Sequence, residues 1–107
     1  MADVLKRMSG PTTLATANAV LYTVPTSTIS VVRNVHVVNE GTVSANFVLS
    51  IGTDAATNHR IFYQITIAPN DYFDWTGNIV LAAAETLTGQ ASLASTLTLT
   101  VSGVESS

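Results

Sequence analysis

Residues 97–101 read Leu97-Thr98-Leu99-Thr100-Val101, an apolar residue at every second position with threonine between. A period of two sends successive side chains to opposite faces, so this is a strand with one buried face and one hydroxyl-covered face. The same alternation runs through residues 43–51, where Val43, Ala45, Phe47, Leu49 and Ile51 are expected inward and Ser44, Asn46 and Ser50 outward. It returns in residues 61–67, with Ile61, Tyr63, Ile65 and Ile67 in register. A short first strand over residues 20–24 stops at Pro25, which has no ladder N–H to donate.

Residues 29–38 form a longer strand with an internal conflict. Ile29, Val31, Val35 and Val37 share a face with Arg33, while Val32 and Val38 lie on the other. Either a bulge near Arg33 changes the facing or the strand is buried on both sides. Turns are expected at Asn39-Glu40-Gly41, at Pro69-Asn70-Asp71 and at Gly77-Asn78, and a polar loop over residues 52–58. Between the last two turns lies a short aromatic strand, Tyr72-Phe73-Asp74-Trp75. Residues 79–81 and 85–91 are weaker strands, the second interrupted by Gly89, and the alanines 82–84 before Glu85 favour helix but are too few to form one unaided. The last strand extends over residues 96–104.

Turn signals recur roughly every 8 to 12 residues, the spacing of a sandwich. The expectation is therefore an all-β fold, an antiparallel β-sandwich or jelly roll of about eight short strands. Its 107 residues suit one core. Residues 1–19 differ, with Lys6-Arg7, a Ser9-Gly10-Pro11 break and a weakly periodic run of small residues. They are expected as an extended N-terminal arm, partly paired at most, and residues 20–107 as the sandwich domain.

Only 10% of residues are charged and 47% are hydrophobic. A lone soluble domain avoids large exposed apolar patches, so this balance suggests a surface covered by other subunits. A net charge of −3, with only Lys6, Arg7, Arg33 and Arg60 positive, argues against a nucleic-acid partner. The absence of cysteine removes disulfides and thiolate metal sites. No secretory signal is expected at the start, where Lys6 and Arg7 precede no apolar stretch. The apolar run of residues 79–84 falls far short of the roughly 20 residues that span a bilayer.

No constellation for catalysis is legible. Two histidines, His36 and His59, are too few and too far apart in sequence for zinc, and no nucleophile elbow or glycine-rich phosphate cradle occurs. Neither an enzyme nor a cofactor is expected. Asp71 and Asp74 with Asn70 could share a hard cation, but they lack the pattern of a dedicated loop, and solvated carboxylates are the favoured reading. Tyr72, Phe73 and Trp75 are core residues, interface anchors or, as the alternative, a stacking platform for a sugar.

The order Leu21-Tyr22-Thr23-Val24-Pro25, then Val31-Val32-Arg33-Asn34-Val35 closed by Asn39, then Ile67-Ala68-Pro69-Asn70-Asp71, and finally Thr100-Val101-Ser102-Gly103-Val104-Glu105 resembles small β-sandwich virion proteins of tailed bacteriophages. The resemblance spans about residues 20–105. It implies a virion component, either head-decoration or tail-associated, and brings no catalytic residues. The expected function is a capsid decoration protein on the head surface, a homo-oligomer and most simply a trimer at a lattice three-fold. Lys6 and Arg7 would reach onto the major capsid protein or tail subunits. The alternative is a tail-associated module that binds a host glycan through Tyr72, Phe73 and Trp75.

Overall fold

The computed structural model describes residues 3–52 and 60–107. Its strands are β1 (Asp3–Thr13), β2 (Ala19–Thr23), β3 (Ile29–Asn39), β4 (Ala45–Ile51), β5 (Arg60–Ile67), β6 (Tyr72–Leu81), β7 (Thr86–Ala91) and β8 (Leu97–Ser106). They form two four-stranded antiparallel sheets, ordered β1-β8-β3-β6 and β2-β7-β4-β5. Successive strands cross repeatedly between the two sheets, and this order is that of an eight-stranded jelly roll. The expected all-β sandwich is therefore present, in its jelly-roll form.

The core is the inward half of each alternating strand. Val32, Val35, Val37, Leu97, Leu99 and Val101 from the first sheet face Phe47, Leu49 and Leu87 from the second, all of them fully buried. In β8 the alternation is unbroken from Leu97 to Val104, as its sequence dictates. In β3 a register shift between Val32 and Asn34 leaves Arg33 as an extra residue, so that Val32 and then Val35 point inward while Arg33 stays exposed. Of the two readings of β3, the bulge is the one that forms. β1 carries a matching shift between Arg7 and Ser9. Both neighbours of β8 thus bulge beside Ser102.

Several expectations change. The segment expected as an arm is extended, but residues 3–13 pair with β8 along their length, and Met8 and Leu14 are buried in the core. Val43 precedes β4 and is exposed, while Ser50, expected outward, is fully buried. In β5 a shift opposite Phe47 and Leu49, with Gln64 at φ 50°, turns Phe62 toward the core and leaves Tyr63 half-exposed. Gly77-Asn78 is not a turn: β6 runs through it, and Gly77 makes room for the Trp75 ring, which a Cβ there would meet at 2.5 Å. Residues 82–84 form a turn with Ala84 at φ 68° and no helix. Asn39 is no exposed turn residue. Its buried amide donates to the carbonyls of Val43 (2.9 Å) and Ile67 (2.8 Å) and accepts from the Gly41 N–H (2.8 Å). The Pro69-Asn70-Asp71 turn forms as expected, with Asn70 at φ 62°.

At the end of the sandwich where β2 meets β3 and β8, the sheets are joined by a buried polar group. The Tyr22 hydroxyl lies 2.7 Å from Ser30 Oγ and donates to the Glu105 carboxylate. Glu105 also sits 3.4 Å from the Lys6 ammonium. Burial, then the carboxylate hydrogen bond, pushes the Tyr22 pKa up to about 12. The folded protein therefore keeps the phenol proton to higher pH than the unfolded chain.

Two outcomes follow from this packing. A Cβ at Gly103 would stand 2.0 Å from the Val31 carbonyl oxygen, so β3 and β8 would have to part. Gly103→Ala should cost at least the upper end of the range for overpacking, about 1–3 kcal/mol, in urea unfolding; an unchanged midpoint would contradict the close approach. With the Tyr22 pKa raised, its contribution is fully present below about pH 10 and lost as pH rises toward 12. Tyr22→Phe should flatten stability against pH across that window, and an identical slope in both proteins would show that Tyr22 is not the titrating group.

Candidate assembly surface

The residues singled out in the sequence fall on three different surfaces. Phe73 and Trp75 belong to the interior: both point from β6 between the sheets and pack against the core. Phe73 has its ring centroid 5.5 Å from Phe47 and 5.4 Å from Phe62, and Phe62 lies edge-on to Trp75 at 5.5 Å. Offset and edge-to-face contacts of this kind hold the β5 and β6 ends of the two sheets together. Tyr72 points the other way and is 62% exposed. The three rings do not share a face, so they form no common sugar platform. The cluster's fourth member, Phe62, was missed because the bulge at Gln64 displaces the alternation that pointed to Tyr63.

On the outward face of β6, Tyr72 stacks on His36 at 5.4 Å, and His36 Nδ1 lies 3.1 Å from Asp74 Oδ1. The Asn34 amide donates to the same carboxylate oxygen at 3.0 Å. These bonds, that from Asn34 first, hold the Asp74 carboxyl below its usual range. Asp71 points elsewhere and accepts the Tyr72 N–H at 2.8 Å. The two aspartates thus have separate partners, and among the described residues no three His, Cys, Asp or Glu side chains gather as a metal set. His59 lies outside the described residues, as does most of the polar loop expected over residues 52–58.

On the opposite edge of the same sheet, Lys6 and Arg7 separate in role. Lys6 is engaged with Glu105 of its own chain, whereas Arg7 is exposed on the outward face level with Ser102. Arg33, aimed outward by its bulge, stands close by. Together with Leu5, Ser102 and Gly103 these three cations line an open depression of about 470 Å³. Three of the four basic residues of the chain are therefore gathered at one corner of an otherwise acidic protein. Arg60 is elsewhere, its guanidinium 4.0 Å over the Tyr63 ring.

The corner is apolar as well as basic. Leu5, Val104, Val31 and Val80 occupy one level across the four strands of the first sheet and share its outward face. Leu5 is 86% exposed and Val80 63%. Ile29, next along β3 on the same face, is half-exposed. Exposed apolar side chains aligned across an open sheet are the feature of the surface that internal packing leaves unexplained.

No protein-family model matches the chain, and no curated protein matches it in sequence. Among solved structures it is similar to a chain described under "Bacillus endospore appendages form a novel family of disulfide-linked pili", with a TM-score of 0.55 at 15% identity, over 96% of this chain and 86% of that one. At that identity the likeness is one of fold, and it extends over nearly the whole jelly roll.

Proposed function

We propose that this chain is a non-enzymatic structural subunit that assembles with copies of itself on the surface of a larger particle. The observation that carries the reading is the exposed apolar row from Leu5 to Val80, lying across a sheet whose two outer strands have no further partner strand among the described residues. Burying such a row removes apolar area from water and supplies pairing to free strand edges. The resemblance in strand and turn order supports a bacteriophage virion as the particle, with decoration of the head favoured over the tail. Many weak contacts repeated over a lattice give firm attachment without any one strong interface.

A second reading is favoured by the fold comparison: a subunit of an extracellular appendage, since the similar solved chain comes from pili. Those pili are described as disulfide-linked, and this chain contains no cysteine. Its assembly in either setting rests on non-covalent contacts. The glycan-binding alternative has lost its physical basis in a shared aromatic platform, because Phe73 and Trp75 are packed against the core.

The experiment that tests the reading has two parts. Sedimentation of the purified chain over a wide concentration range should show oligomers, and a monomer throughout would reject self-assembly. Cryo-EM of particles from the source should then show regular density over a head lattice. Density along a filament would move the protein to the appendage reading, and density confined to a tail would reject decoration.

A further inference from the structure

Resting on the self-assembly reading, we propose that copies join head to tail through the first sheet, the β1 edge of one copy lying antiparallel against the β6 edge of the next. The directions of the strands already allow it. In the order β1-β8-β3-β6 every neighbour is antiparallel, so the two outer strands run in opposite directions. A copy shifted along the sheet therefore meets its neighbour with antiparallel edges and needs no reversal.

The side chains at those edges are complementary. Continuing the levels of the sheet from one copy to the next places Val80 beside Leu5, the two exposed ends of a single apolar row. Arg7 stands level with Thr76, which makes Asp74 its diagonal neighbour on the same outward face, within reach of a long side chain. The bonds from Asn34 and His36 hold the Asp74 carboxylate in place.

Pairing like with like is disfavoured. Two β1 edges would bring two basic segments together, and two β6 edges would bring two Asp74-bearing segments together, so neither gains an opposite charge from its partner as the unlike pairing does. The second sheet offers poorer edges, because β2 has five residues with a register shift and β5 is broken by Gln64 in a left-handed conformation. An unlike contact of this kind is heterologous, so it generates rings if the rotation between copies closes and filaments if it does not.

The absence of cysteine makes the test direct. Within one copy Leu5 and Val80 are three strand spacings apart, roughly 14 Å, too far for a disulfide. Leu5→Cys with Val80→Cys in one chain, oxidised after assembly, should give a ladder of dimers, trimers and larger species on a non-reducing gel. Either substitution alone should remain monomeric on that gel. Covalent dimers from a single variant would show a like-with-like edge, and a wild type that assembles while the double variant gives no ladder would show that assembly uses another surface; each overturns the proposal. A wild type that sediments only as monomer overturns the assembly reading itself.

A charge exchange provides a second readout that leaves the edges' apolar residues in place. Arg7→Glu and Asp74→Arg should each weaken assembly by about fivefold or more, and the doubly substituted chain should recover it. Circular dichroism and thermal melting establish that each variant is folded. Folded single variants that assemble normally, or a folded double variant with no recovery, would reject the pairing of Arg7 with Asp74.

Discussion

The structure depends on the placement of its last strand. β8 lies between β1 and β3, so the two ends of the chain are neighbours and the first sheet has no middle until residues 97–106 are in place. The contact with β3 is close at Gly103, where only a residue without a side chain fits against the Val31 carbonyl. Such pairing between distant parts of a chain carries a loop-closure cost that local contacts cannot offset, so the sandwich forms as one cooperative unit. Through β8 that constraint also positions the surface, since Ser102 is where β1 and β3 both bulge.

Those bulges give the outward face its chemistry. Without the extra residue in β3, Arg33 would continue the alternation of Val31, Val35 and Val37 and compete for the core. With it, a cation that is costly to bury is placed in water beside Arg7. The opposite edge of the sheet receives Asp74, held by Asn34 and His36. A chain with few charges thereby acquires a basic edge and an acidic edge on one sheet. The polarity of the proposed head-to-tail contact is built from that separation.

The interior follows a different logic at each end of the sandwich. At the β5 and β6 end, Phe47, Phe62, Phe73 and Trp75 fill the space with aromatic contacts. At the other end, Tyr22, Ser30 and Glu105 bridge the sheets through a buried hydroxyl and a carboxylate, with Lys6 closing the group from outside. In a protein without disulfides, packing and a satisfied polar bridge are what hold two sheets in fixed relation.

Period-two patterning by itself determined the fold class, most strand positions and the orientation of β8, because burial on one face demands an apolar residue at every second place. It also located the conflict at Arg33. Whether that conflict ended in a bulge was decided by the pairing with β8, and the inward turn of Phe62 in place of Tyr63 by the pairing of β5 with β4. The role of residues 3–13 was hidden for the same reason: their weak periodicity gives no sign of a strand until β8 is there to pair with them. The proposed assembly surface was legible only in fragments, as Lys6 and Arg7, as a few charges and as excess apolar composition. Bringing Leu5, Arg7, Val80 and Asp74 to the two edges of one sheet required the order of its strands, and strand order arises from contacts between residues far apart in the chain.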